Sequence, residues 1–511
     1  MVDVPRSAQR ALPAVVFAAG AASLAVEICA SRLLAPYFGN STVVWAHVIG
    51  LILVYLSVGY WLGGRIADRY PRPQVLGLLL VIAALATAAL PFVARPFLDL
   101  ALRGLNALSV GAVAGSFFAT LLLFSVPVSL MGMASPFALR LSIRDVERAG
   151  RTSGRLSALA TVGAIFGTFS SALLLIPAIG TQRTMLAAAL LIAVVSLPLW
   201  LTLAAPASVV IGALLVVPPG AVKPAAGTLI ERQTQYQYVQ VVRAPDGKIV
   251  MRTDEGVADQ SVYRPETTLT GGEWDMPLVV PPLLSRTLHR ALVIGNAGGT
   301  TARALAGEFH GITIDGVEID PVLSDFARRY MGMNAIPGLN VITADGRSYL
   351  ATTTARYDLI VVDAYRQTYI PFYLATREFF QLVRDHLNPG GAVALNVERV
   401  PGDDRLVQSV SGTLATVFPQ TWVWPALRFN ELVVGLDSPI PESTLFARLA
   451  RLPSEVQVLA PLFATNAHTV PASTDALTDD HAPVEWLTDR AVLAYIAAGG
   501  RLDEQLLPTA P

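Results

Sequence analysis

Arg290-Ala-Leu-Val-Ile-Gly295-Asn-Ala-Gly298-Gly299-Thr-Thr-Ala-Arg303 decides the fold of the C-terminal half. Its apolar run 291–294 reads as a short buried strand. Three glycines follow within five residues, and 300–308 then reads as a helix. A strand, a glycine loop and a helix bring backbone N–H groups and a helix N-terminus to one point, a cradle for a ligand.

The alternation continues downstream. Strands are expected at 312–319, 340–344, 357–364 and 392–397. Helices are expected at 321–331, with Pro321 at its start, at 376–387, closed by Asn388-Pro-Gly-Gly391, and at 403–418. Strands at 421–426 and 431–436 end the series. This is a doubly wound α/β sheet, Rossmann-like, finished by a close strand pair. Upstream, 223–230 reads as a linker. A strand at 231–243, the turn Ala244-Pro-Asp-Gly247 and a return at 249–252 read as a small N-terminal β-unit.

The first 222 residues have another chemistry. The 511-residue chain is 53% hydrophobic and only 15% charged, with a mean hydropathy of +0.52. A soluble chain carries about 25% charged residues. Residues 1–222 hold 14 arginines, no lysine and six acids, a net of +8, and the remainder holds 23 basic and 32 acidic residues, a net of −9. An acidic half does not suit nucleic acid. Seven apolar stretches (12–35, 44–64, 75–95, 108–137, 156–179, 183–203 and 206–217) read as a multi-pass α-helical membrane domain in the lipid bilayer of the cell membrane. The last stretch is short and is closed by Pro218-Pro219-Gly220. Small residues such as Gly20, Gly163 and Gly167 let helices approach closely. Two arginine clusters, 65–72 and 140–155, belong on the inner face. Seven helices then put the C-terminal half outside and six put it inside, so the face stays open. The expected domains are 1–222 transmembrane, 228–275 small β-subdomain and 276–500 Rossmann-like.

Four strand ends carry the candidate chemistry. Gly295 and Gly299 frame the loop after the first strand. Glu318 nears the end of the second, where an acid binds ribose hydroxyls. Asp345-Gly346 ends the third and Asp363 the fourth. Together they point to a nucleoside cofactor. Cys29 is the single cysteine and the six histidines show no paired spacing, so no metal is expected.

These residues, with Tyr236-Gln237, Asp259-Gln260-Ser261, Gly316-Val-Glu318-Ile-Asp320-Pro321, Tyr357 to Asp363, Glu378-Phe-Phe and Leu477-Thr-Asp479-Asp480-His-Ala-Pro483-Val-Glu485, resemble the spermidine synthase (polyamine aminopropyltransferase) family over 229–487. The whole chain looks like its membrane-fused branch. The resemblance implies the methyltransferase/spermidine synthase fold and decarboxylated S-adenosylmethionine as cofactor. It implies Glu318 on the ribose, Asp345 on the adenine, and Gln237 and Gln260 near the aminopropyl arm. It implies a small amine acceptor such as putrescine, with Asp363 taking the proton. A homodimer stays open.

Several family acids are absent. Gly298 stands where the family has an aspartate in the glycine loop. Arg366 stands at the second acid of its Asp-x-x-Asp pair, and Glu273-Trp274-Asp275 matches its Tyr-His-Glu poorly. Tyr365, Asp275 and Asp480 are the candidate stand-ins. The loop Gly64 to Arg72 resembles the helix 2–3 loop of major-facilitator transporters, with Pro71 in place of its second glycine. Two alternatives to aminopropyl transfer therefore stay open: a methyltransferase using intact S-adenosylmethionine, and a transporter or binding protein with an inactive synthase-like domain.

Overall fold

Where two helices of the first unit meet, glycine is the only residue that fits. A Cβ at Gly163 would lie 2.1 Å from the Phe17 carbonyl oxygen, one at Gly167 2.0 Å from that of Ala21, and one at Gly20 2.3 Å from that of Ala160. Phe17 faces Gly163 and Ala21 faces Gly167, so helices Arg6–Phe38 and Ala149–Ser170 run parallel with their backbones in contact. Small residues at four-residue spacing permit this approach. On the other side of Ala149–Ser170, Val162, Ile165 and Phe169 are each more than half exposed. A helix apolar on all sides is made for a large core or for lipid.

The computed structural model describes residues 5–38, 42–107, 112–143, 146–217, 226–254, 259–365 and 369–498. The chain forms two compact units, Met1–Pro224 with Gln233–Tyr238, and Ala225–Arg232 with Val239–Pro511. Against the seven stretches expected from hydropathy, four helices among the described residues are long and apolar enough to cross a membrane, or five if the bent pair Gly115–Leu123 and Ser125–Ser142 is one span. The stretches 156–179 and 183–203 differ most. Most of both falls in one continuous helical run, Ala149–Val195, which passes through a π-turn at Ser171–Leu175 and kinks at Gly180, whose φ is +81°. Leu201–Val216 is a shorter apolar helix. Asp68 and Arg140, from the two basic loops, pair at 2.9 Å in an exposed setting, which contributes little.

The second unit opens with strands β1 (Thr228–Gln233), β2 (Tyr238–Arg243), β3 (Ile249–Thr253) and β4 (Asp259–Tyr263), paired in that order. The single strand expected at 231–243 is thus two. The Thr234 hydroxyl accepts from the N–H groups of Tyr236 and Gln237 and folds the chain back between them.

Next come β5 (Arg290–Ile294), β6 (Thr313–Glu318), β7 (Leu339–Thr343), β8 (Tyr357–Val362), β9 (Leu387–Glu398), β10 (Gln420–Trp424), β11 (Asn430–Leu436) and β12 (His468–Thr469). The sheet order is β12-β10-β11-β9-β8-β5-β6-β7. Strands β9 through β7 in that order are parallel, and β11, β10 and β12 are antiparallel. Every residue of β8 is buried. Alternation sends Ala291, Val293, Leu359 and Val361 into the core on one face, and Leu292, Ile294, Ile360 and Val362 into the core on the other. Both faces are covered, as a doubly wound sheet requires. The Asn388-Pro-Gly-Gly391 turn is absorbed into β9 as a register irregularity against β8. From β5 the chain adds β6 and β7 on one side, then crosses to β8 on the other. The crevice where a ligand binds opens at this reversal, past the C-terminal ends of β5 and β8.

The backbone contact predicts opposite signs for two similar substitutions. Gly163→Ala should lower thermal stability by about 1–3 kcal/mol through overpacking. Gly154→Ala, on the same helix with nothing within 4 Å, should be neutral or stabilising. Melting of the detergent-purified full chain checks this, and equal effects contradict it.

Candidate functional site

The crevice is held open by backbone. Gly295 (φ +86°) lies against the end of β8, and a Cβ there would sit 2.3 Å from the Asp363 carbonyl oxygen. The N–H groups of Gly295 and Asn296 both donate to the Val317 carbonyl, at 2.9 and 3.0 Å, and the Asp363 N–H donates to Ile294 O at 2.9 Å. The loop then bends through two further positive φ values, Ala297 at +39° and Gly299 at +77°. Glu318, 6% exposed, supports the bend. Its Oε2 accepts from the Ala297 N–H at 3.0 Å and its Oε1 from the Asp320 N–H at 2.9 Å. Burial pushes this carboxyl up to about 7. The small sheet also reaches the loop. Ser261 Oγ accepts from the Gly298 N–H at 2.8 Å, and the Thr300 hydroxyl bonds both the N–H and the carbonyl of Val262. A Cβ at Gly298 would lie 2.5 Å from that of Ser261. The structure thus leaves no room at 298 for an aspartate.

Asp363 hangs from the end of β8, half-buried, with Asn396 Nδ2 of β9 donating to its Oδ1 at 3.0 Å. Asn430 Nδ2 of β11 in turn donates to Asn396 Oδ1 at 3.0 Å, which fixes the amide's orientation. Burial pushes the Asp363 carboxyl up to about 6. Two more carboxyls share this surrounding. Burial pushes Glu273 up to about 8, assisted by the charges of Asp363, Asp259 and Asp275, and pushes Glu398 up to about 8.

The other candidates are placed as follows. The Tyr365 hydroxyl donates to the Asn396 carbonyl at 2.8 Å and accepts from the Glu398 N–H at 3.0 Å. Its one proton is engaged, and burial with the nearby carboxylates raises it well above the tyrosine range. It holds the loop after β8 to β9. Asp345 caps helix Gly346–Thr352 through the Ser348 N–H at 2.9 Å and accepts from the Tyr373 hydroxyl at 2.9 Å. Gly346 lets that helix reach β5, since a Cβ would lie 2.3 Å from Ile294 Cγ2. Gln260 is half-buried on β4, next to Ser261. Gln237 belongs to the 233–238 segment that groups with the helical unit. Asp275 is spent on the N–H groups of Thr270 and Gly271, and Asp480 is exposed. Arg366 lies outside the described residues. Asn396 and Glu398 are functional candidates that sequence reasoning missed, and Ser261 entered it only within Asp259-Gln260-Ser261. Among the described residues no group of three or more His, Cys, Asp or Glu could hold a metal ion.

Residues 276–427 match the family model described as the spermine/spermidine synthase domain. A probable polyamine aminopropyl transferase of Bifidobacterium longum is 37% identical over 189 residues, covering 37% of this chain and 42% of that protein. A polyamine aminopropyltransferase of Vibrio vulnificus is 30% identical over 178 residues, covering 34% and 58%. The human eEF1A lysine and N-terminal methyltransferase is 32% identical over 155 residues, covering 28% and 22%. The chain therefore spans about half the length of the two transferases it matches.

The raised carboxyls predict an unusual pH dependence of stability. Glu273, Glu318, Glu398, Asp275 and Asp363 all bind protons more tightly folded than unfolded. Their contribution is fully present below the ordinary carboxylate range and is lost as pH rises through about 6 to 8. Carboxyls shifted down, such as Asp358, act only below about pH 4. The full chain should melt a few degrees higher at pH 5.5 than at pH 8.5. A melting temperature that rises over this interval contradicts the assignment.

Proposed function

We propose that the second unit is a spermidine synthase-like aminopropyltransferase, moving an aminopropyl group from decarboxylated S-adenosylmethionine to a small amine such as putrescine. We propose also that the apolar helices anchor it in the cell membrane. The observation that carries the reading is Asp363, its carboxyl held by Asn396 and its backbone against a glycine loop at the sheet's reversal point, within the span that matches the synthase domain. The residues present fit a nucleoside. The loop after β5 turns through positive φ at Gly295, Ala297 and Gly299 beside the C-terminal ends of β5 and β8. Of its four lone-pair positions the Glu318 carboxylate keeps one for a ribose hydroxyl beside the backbone N–H groups of Ala297, Ile319 and Asp320. Asp345 and Gly346 border the adenine end, and Gln260 the aminopropyl arm.

When bound, the cofactor supplies an alkyl carbon made electrophilic by its sulfonium. This chain's residues do the rest. Asp363 receives the proton that the acceptor nitrogen gives up as its new C–N bond forms. Asn396 orients that carboxylate, and Tyr365 anchors the loop that carries it. A group at about 6 is ionised at neutral pH yet basic enough to take a proton. Methyl transfer is the second reading, favoured by the human relative and by the missing acid at Gly298. The nucleoside product separates them: 5′-methylthioadenosine for the first, S-adenosylhomocysteine for the second.

Asp363→Asn should lower turnover about 100- to 10,000-fold. It should also abolish the wild type's fall in rate below about pH 6. Undiminished transfer in this variant contradicts the choice of base. Glu318→Gln should weaken cofactor affinity about 10- to 100-fold, the cost of losing a charged acceptor, and unchanged affinity removes the nucleoside assignment. An alkaline carbonate wash should leave the chain in the membrane pellet, and its release would contradict anchoring.

A further inference from the structure

The segment from Leu477 to Pro483 lies beyond the residues that match the synthase domain, yet the second unit holds it closely. The Arg377 N–H donates to the Leu477 carbonyl at 2.9 Å, and the Leu477 N–H donates to the Thr413 hydroxyl at 2.9 Å. The Asp479 N–H donates to Glu378 Oε2 at 3.1 Å, and the Thr376 hydroxyl donates to Asp479 Oδ1 at 2.7 Å. Thr376 is the cap of helix Arg377–Asp385. Asp479 is therefore pinned to the start of that helix by its own backbone and side chain.

From there Asp479 faces Arg347. Arg347 Nη1 donates to Oδ1 at 2.7 Å and Nη2 to Oδ2 at 2.6 Å. The same Nη1 donates to the Tyr373 carbonyl at 3.0 Å, and the Tyr373 hydroxyl donates to Asp345 Oδ2 at 2.9 Å. Tyr373 is thus gripped at both ends, its backbone by Arg347 and its phenol by Asp345. Asp479 is 45% exposed in its side chain, and an ion pair this open contributes little to stability. What a two-pronged pair supplies is direction. It sets the guanidinium at one angle, and with it the carbonyl of Tyr373.

We propose that Asp479 is a positioning residue for the cofactor site, which through Arg347 and Tyr373 aims the Asp345 carboxylate and so sets the preference for adenine over a 6-oxo purine. This rests on the nucleoside reading above, with Asp345 at the adenine end. The Ser348 N–H and the Tyr373 hydroxyl each take one Asp345 oxygen, and the lone pairs they leave point where these two donors dictate. Adenine brings an amino group that donates to such an acceptor. A 6-oxo purine brings a carbonyl there, which a carboxylate repels.

The test is titration of the detergent-purified full chain with 5′-methylthioadenosine and with 5′-methylthioinosine, which differ only in the purine. Wild type should bind the adenine nucleoside more tightly. Asp479→Asn should cut that preference about 10-fold, the effect of one misdirected bond to a charged acceptor, while melting stays within a few degrees of wild type. Arg347→Lys should do the same, because an ammonium has no fork. Asp479→Asn combined with Tyr373→Phe should lose less than the sum of the two single losses, since both act through one path. An unchanged preference in Asp479→Asn overturns this inference alone, as do additive losses in the double variant. Equal weakening for both nucleosides, or a large fall in melting temperature, overturns it as well, since Asp479 would then be supporting the fold. Wild type that binds the two nucleosides equally removes Asp345 from the adenine end, and wild type that binds neither removes the nucleoside reading; either result takes this inference with it.

Discussion

No side chain fits between Gly295 and the end of β8. The Asp363 carbonyl lies 2.3 Å from where a Cβ would be, so a backbone-to-backbone contact sets the floor of the crevice. Much else follows from that contact. Because the loop after β5 starts at positive φ, it turns back over β6, and both Gly295 and Asn296 can donate to Val317. That turn brings the Ala297 N–H onto Glu318. The same contact fixes the first residue beyond β8, which is Asp363. Glu318 and Asp363, the acids proposed for the ribose and for the amine, are thus positioned by one steric constraint, with the central strand between them.

The electrostatics of the unit follow from how its acids are satisfied. Elsewhere in the sheet buried acids have cations or a dense set of donors. Asp358 accepts from the N–H groups of His289 and Arg290 and pairs with Arg286 at 2.6 Å, and Asp315 pairs with Arg290 at 2.7 Å. At the C-terminal edge Asp363 has one amide donor, and Glu398 Oε2 has no partner among the described residues. Structural carboxyls are compensated internally. Those at the edge, Asp363 and Glu398, lack that internal compensation among the described residues.

How much could be read in advance depended on which signal each element carries. Strands β5, β6 and β8 are apolar runs bounded by glycine or acid, and they are visible without a structure. So is helix Pro321–Tyr330, with Asp320 and Pro321 at its start. The break between β1 and β2 was hidden because no glycine or proline marks it; a threonine hydroxyl makes that turn. Strand β4, Asp-Gln-Ser-Val-Tyr, has too few apolar residues to stand out. Hydropathy separated 156–179 from 183–203, although the backbone between them stays largely helical with a kink at Gly180. Within the site, strand ends were legible and their partners were not. Glu398 and Asn396 lie on a strand added after the acids they serve, and no local pattern ties them to Asp363. Tyr365 was read as chemistry from its place in the motif, while its hydroxyl is engaged on both sides by β9.

The central claim is that this crevice binds a nucleoside sulfonium carrying an aminopropyl arm. Isothermal titration of the detergent-purified full chain, with decarboxylated and with intact S-adenosylmethionine in parallel, tests it most directly. The account predicts saturable binding of both, with the decarboxylated form tighter by at least about 10-fold, or 1.4 kcal/mol, because the carboxyls at the crevice edge disfavour an α-carboxylate. Tighter binding of intact S-adenosylmethionine, or binding of neither, would contradict it.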